Sequence, residues 1–279
     1  MATPQEEIRR TLPGVVDIAY EQYKRDLPRY RLAKELMSQD VVTTAPEVLL
    51  QDAAKIMGEK HIGSLIVMKY KTPVGIVTER DLLSKVLAFG LFIGDEKVED
   101  VMSYPLFAVS IASKIKEVAQ LMISTKARLA VFDAGKLVGI ITASDLIKSL
   151  PDVPETEVKV DNFMTKDVIT ADEATPVISI AKTLGEKRIG SVIITRKGEP
   201  FGIFTERDLL TNFFATGKSL YAEVGPVCSH PLIVVPAGTS VHRTAAIMAL
   251  KHIRRLPIVK DDKLVGIITA RDLVEAYAK

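Results

Sequence analysis

One cysteine, four histidines and no tryptophan stand among the 279 residues. The lone Cys228 excludes an internal disulfide and a thiolate metal cluster. His61, His230, His242 and His252 have no metal-ligand spacing, so no metal site is expected. Charge of one sign is lacking too: 37 Lys and Arg face 35 Asp and Glu, for a net charge of +2. That balance argues against nucleic acid held by gross charge, and any anion site must be built locally. No apolar run approaches the ~18 residues of a membrane span. Met1 to Arg10 carries acidic residues and no apolar signal stretch. These absences predict a soluble, cytoplasmic chain without membrane association. No G-x-x-x-x-G-K-[ST], no G-x-G-x-x-G after a strand and no G-x-S-x-G occurs, so neither catalysis nor a catalytic cofactor is expected.

What is present is a repeat. The chain is 47% hydrophobic and 26% charged, hence globular. At ~150 residues per domain its length suggests two domains. Gly75-Ile-Val-Thr-Glu-Arg-Asp-Leu82, Gly139-Ile-Ile-Thr-Ala-Ser-Asp-Leu146, Gly202-Ile-Phe-Thr-Glu-Arg-Asp-Leu209 and Gly266-Ile-Ile-Thr-Ala-Arg-Asp-Leu273 recur at glycine spacings of 64, 63 and 64 residues. Upstream of each lies a helical pattern of apolar or small residues: Leu50, Ala53, Ala54, Met57; Ile115, Val118, Ala119, Met122; Val177, Ile180, Ala181, Leu184; and Val241, Thr244, Ala245, Met248. Buried strands follow at 65–68, 129–132, 192–195 and 256–259. Turns are expected at Pro73, 133–135, 197–198 and 261–262. Initial strands are expected at 41–44, 107–109, 168–170 and 233–235.

Each repeat therefore reads β-α-β-β-α, an α/β (α+β) fold. One repeat has little core of its own, so pairing is expected. Repeats 1 and 3 are the more alike, sharing Ile-Gly-Ser at 62–64 and 189–191 and Thr-Glu-Arg-Asp-Leu-Leu. Repeats 2 and 4 share Met/Cys-Ser-x-Pro-Leu at 102–106 and 228–232 on their approaches. We read a duplicated pair divided at Leu150–Glu155. Its parts are an extension at 1–36, a first pair at 37–150 (repeats at about 37–94 and 95–150) and a second at 151–279 (repeats at about 158–221 and 222–279). In the extension, Ile18, Tyr20, Tyr23 and Leu27, near Arg25, Arg29 and Arg31, suit a helix or arm. It packs on the chain itself or docks a partner or a second copy in a homodimer.

The four registered G-h-h-T-x-x-D motifs with their preceding strands resemble cystathionine-β-synthase (CBS) motifs over residues 37–279. Four of them resemble two tandem-pair (Bateman) modules, as in the γ subunit of AMP-activated protein kinase and stand-alone archaeal proteins. The resemblance implies a flattened disc of two modules with nucleotide clefts between paired sheets.

The motif itself has two readings. Thr78-x-x-Asp81, Thr142-x-x-Asp145, Thr205-x-x-Asp208 and Thr269-x-x-Asp272 are helix-capping patterns. The same geometry offers phosphate a helix start and a threonine hydroxyl, and offers an aspartate to a ribose diol. The two are compatible. The resemblance likewise assigns ribose to Asp81, Asp145, Asp208 and Asp272 and the phosphate region to Thr78, Thr142, Thr205 and Thr269. Arg80, Arg207 and Arg271 precede the aspartates; Arg128, Arg254 and Arg255 lie on the adjacent strand. Arginine suits phosphate through its planar donor fork, although a single arginine is more often solvated surface. Val42, Thr43, Ile62, Ile169, Thr170 and Ile189 are candidates for a base pocket, or ordinary core. The resemblance implies a non-catalytic sensor of AMP, ADP or ATP, reporting energy state to an unidentified protein partner, a kinase or another enzyme. S-adenosylmethionine or nucleic acid as ligand, or a scaffold with empty clefts, are the alternatives.

Overall fold

The computed structural model describes residues 13–26, 30–89, 94–152 and 158–278. Each repeat builds one three-stranded sheet. The strands are β1 (Thr43–Thr44), β2 (Ser64–Lys69) and β3 (Thr72–Thr78); β4 (Ala108–Ser110), β5 (Leu129–Asp133) and β6 (Lys136–Ile141); β7 (Thr170–Asp172), β8 (Ser191–Arg196) and β9 (Glu199–Thr205); and β10 (Val235–Pro236), β11 (Arg255–Lys260) and β12 (Lys263–Thr269). The first strand of each sheet runs parallel to the second, which is antiparallel to the third. A helix makes the crossover: Leu50–Glu59, Ile115–Thr125, Val177–Glu186 and Val241–Lys251. All sixteen residues of the four periodic stripes are buried, so the 3.6-residue period located the core faces.

The first strands begin one or two residues later than the sequence suggested. The turn of repeat 1 is also displaced: Pro73 lies inside β3, and Tyr70 and Lys71 turn the chain with φ of 48° and 66°. Two consecutive left-handed residues also occur at 134–135, 197–198 and 261–262. They form the tight hairpin turn whose twist matches that of the strands.

The chain passes three times through one compact unit and twice through another. One holds the described residues of Met1–Asp40, Phe107–Val168 and Ile233–Lys279, hence repeats 2 and 4; the other holds Val41–Leu106 and Ile169–Leu232, hence repeats 1 and 3. Each unit thus combines one repeat from 37–150 with one from 151–279. Each repeat's leading segment belongs to a different repeat. Ser38 pairs with Ile140, Ser103 with Ile76, Thr165 with Ile267 and Ser229 with Ile203. The segments cover sheet edges that would otherwise be open. The motif glycine makes room for this crossing. A Cβ on Gly139 would lie 2.5 Å from Met37 Sδ, and one on Gly202 would lie 2.7 Å from Cys228 Sγ.

Within the 1/3 unit the two repeats lend each other core residues. Leu210 and Phe214 pack into the repeat 1 core; Leu83 and Leu87 pack into the repeat 3 core. Burying one such leucine stabilises by ~2 kcal/mol. The 2/4 unit has a single joint core. There the extension forms a helix, Pro13–Asp26, whose Tyr20 and Tyr23 pack with Ala246. The Tyr23 hydroxyl donates to the Ile147 carbonyl, and Arg243 pairs with Asp17. Ile18 points outward at 70% exposure. Leu27 and Arg29 lie outside the described residues, as does part of the expected boundary at 150–155.

Candidate functional site

The four motif aspartates make one arrangement. A short helix follows each motif threonine: Glu79–Lys85, Ala143–Leu146, Glu206–Leu209 and Ala270–Ala278. The aspartate is its third residue, so its carboxylate folds back over the helix start. Asp81, Asp145, Asp208 and Asp272 each accept through Oδ2 from the threonine amide, at 2.9, 2.9, 2.7 and 2.8 Å. The same oxygen accepts from the threonine hydroxyl at 2.6, 2.7, 2.7 and 2.8 Å. In repeats 1, 3 and 4 the aspartate amide donates back to that hydroxyl, at 3.3, 3.3 and 3.4 Å. The aspartate half of the cap therefore operates in every repeat, and the threonine half in repeats 1, 3 and 4.

The second oxygen distinguishes the repeats. Asp81 Oδ1 is 3.2 Å from the Ser103 hydroxyl and 2.8 Å from Lys85 Nζ. Asp145 Oδ1 is 3.3 Å from Lys148 Nζ. Asp272 lacks such a lysine, since Glu275 stands where Lys148 does. Burial raises the Asp272 carboxyl above its ordinary 3.8, and the Glu275 charge adds to the rise; its bonds to Thr269 oppose it. Sequence reasoning passed over Ser103, Lys85 and Lys148. The repeated Ser-x-Pro at 103–105 and 229–231 was the available signal.

The expected cations are placed unequally. Arg80 lies 3.3 Å, Nε to Oε1, from the buried Glu206 of repeat 3, so its guanidinium spans repeats. Arg207 holds the matching position in repeat 3, with Nε buried. Arg271 Nη2 donates to the Lys126 carbonyl at 2.9 Å. Arg255 faces Thr269 across the β11–β12 ladder, and the Arg254 carbonyl accepts from the Ala270 amide at 2.9 Å. Arg128 directly precedes Leu129, the partner of Ile141. Of the base-pocket candidates, Val42 and Ile62 pack partly buried against the repeat 1 core; Ile169 and Ile189 do so in repeat 3. Thr43 and Thr170 are exposed.

Among the described residues, no group of three or more His, Cys, Asp or Glu is arranged to hold a metal ion. No described helix is long and apolar enough to cross a membrane. Cys228 is buried, with Sγ 3.3 Å from the Gly225 carbonyl. Burial, helped by the Asp208 charge, pushes its thiol from 9.0 up to about 11. Two pH units lower the thiolate fraction ~100-fold at neutral pH. Ellman's reagent at pH 8 should therefore label the native protein at least ~100-fold more slowly than the urea-unfolded chain. Equal rates would refute the buried placement.

The CBS domain family model matches residues 33–88, 98–152, 160–214 and 224–279. The uncharacterized protein MJ1404 of Methanocaldococcus jannaschii is 30% identical over 265 residues, covering 88% of this chain and 61% of that protein. This chain thus spans less than two thirds of that relative. Protein MJ1225 of the same organism, proposed as an archaeal homologue of g-AMPK, has a crystal structure matching with a TM-score of 0.73 at 21% identity, over 88% of this chain and 99% of that one. An uncharacterized conserved protein of Pyrococcus horikoshii matches with a TM-score of 0.60 at 23% identity, over the same shares. At these identities the structural matches carry the fold. With four family matches in register on the four sheets, the chain belongs to the CBS domain family.

Proposed function

We propose that this chain is a non-catalytic regulatory protein that binds adenine nucleotides, AMP, ADP or ATP, at its motif rims and passes their occupancy to a protein partner as a report of energy state. The observation that carries the reading is the divided use of Asp272. Oδ2 is spent on the cap, while Oδ1 belongs to a carboxylate whose ionised form is costly where it stands. A vicinal diol donating to that oxygen would relieve the cost. Thr269 and Arg255 beside it suit the phosphate of the same ligand. The family match supports the reading, because the motif that defines the repeat is the one that builds the rim. A ligand changes the behaviour of such a chain only through differential affinity for two states.

The test is calorimetric titration of the nucleotide-stripped protein with AMP, with ADP and ATP as competitors. Saturable micromolar binding is expected, and the order of competition identifies what is sensed. Absence of both heat and competition would leave the Thr-Asp pairs as helix caps alone and overturn the proposal.

A further inference from the structure

The two units furnish the same rim with opposite chemistry. In the 1/3 unit the helix side carries glutamate, and Glu79 and Glu206 are each 3% exposed. The strand side is stripped to make room for them. A Cβ on Gly63 would lie 2.7 to 2.8 Å from the Glu79 carboxylate, and the residues opposite the capping threonines are Ser64 and Ser191. The Glu79 and Glu206 amides donate to the Gly63 and Gly190 carbonyls at 3.1 and 3.2 Å, so the pairing of helix start with glycine is the same in both repeats. Of the unit's two rim arginines, Arg80 is turned onto Glu206. A buried carboxylate beside an arginine cancels its charge and repels an incoming anion.

The 2/4 unit reverses each choice. Ala143 and Ala270 stand where the glutamates stand. The strand side carries Arg128 in repeat 2 and Arg254 with Arg255 in repeat 4. Arg255 is the cross-strand partner of Thr269, so its side chain leaves the sheet on the same face as the capping hydroxyl. The acids left at this rim are Asp145, Asp272 and Glu275, and both aspartates commit one oxygen to the cap.

We infer that recognition of phosphate is confined to the 2/4 unit, and that the rims of the 1/3 unit take only the uncharged nucleoside part of a ligand. This rests on the nucleotide reading above and adds which sites accept an anion. Glu79 and Glu206 are then specificity-determining residues, which exclude phosphate from rims that already possess arginines.

The experiment titrates the full chain with AMP and, separately, with adenosine. Wild-type protein should bind adenosine at more sites than AMP. The triple variant Arg128→Ala, Arg254→Ala, Arg255→Ala should lose AMP affinity by about 100-fold, the size of one or two charge-assisted contacts, while adenosine affinity moves less than about threefold. Glu79→Ala with Glu206→Ala copies the residues of the 2/4 unit and should add AMP sites. Glu79→Gln with Glu206→Gln, which keeps the shape, should do the same if the alanine variant folds poorly. AMP binding by the arginine variant at wild-type affinity, or equal AMP and adenosine stoichiometry in the wild type, would overturn the division. Failure of both ligands to bind the wild type would instead sink the nucleotide reading itself.

Discussion

Valine at Gly58 or Gly185 should destabilise the 1/3 unit by about 2–4 kcal/mol per site, and the double variant should leave that unit unfolded. A Cβ on Gly58 would lie 2.5 Å from the Leu210 carbonyl oxygen and 2.8 Å from Ala215 Cβ. On Gly185 it would lie 2.4 Å from the Leu83 carbonyl oxygen and 2.9 Å from Ala88 Cβ. At both glycines the nearest obstacle is a backbone carbonyl, which cannot yield as a flexible side chain does. Alanine is the sharper test. It gains ~1 kcal/mol of helix propensity over glycine, against an overpacking cost of ~1–3 kcal/mol. Net loss in both alanine variants means the helix approach dominates; wild-type urea midpoints for both would show that the helices do not pack at this distance. The equivalent residues of repeats 2 and 4 are Ile123 and Ala249, so the close approach belongs to one unit only.

Asp272→Ala should weaken nucleotide binding at its rim by about 100-fold, because two hydrogen bonds to a charged acceptor are lost at ~1.5–3 kcal/mol each before water takes over part of the contact. It should also cost ~1 kcal/mol of stability, since the Thr269 amide and hydroxyl lose their acceptor. Asp272→Asn separates the effects. Its amide oxygen still accepts from Thr269, so the cap survives, while the charge for the ribose is gone. The pH dependence has a defined sign. The carboxyl is raised above 3.8 in the fold, so the folded protein holds this proton more tightly than the unfolded chain. Its contribution to stability is complete below the unfolded value and is lost as pH rises through the raised one. Asp272→Asn should flatten that part of the stability profile. An alanine variant binding AMP as tightly as wild type at every site would remove Asp272 from ribose recognition.

Periodicity found the four crossover helices because their stripes lie against cores built largely within one unit, and Val118 or Ile180 needs no distant information to be apolar. The threonine and aspartate were legible for the same reason: three residues of sequence separate them, and the cap closes locally. Repeats 1 and 3 also look alike in sequence for a reason seen only in the fold. They share one interface, in which Gly58, Gly185 and the Arg80–Glu206 pair lie. Similarity suggested a duplicated pair, and contacts place the similar repeats in one unit.

By itself the sequence determined the repeat, the β-α-β-β-α order, the buried face of each crossover helix and the capping pair at each rim. All of these depend on spacings shorter than one repeat, where backbone geometry fixes which side chains meet. Only the tertiary structure decided what each rim holds. Arg80 meets Glu206 across 126 residues, Arg271 meets Lys126 across 145, and Ser103 reaches Asp81 from a segment exchanged between repeats. Such partners are brought together by the packing of whole units, and no local period records them.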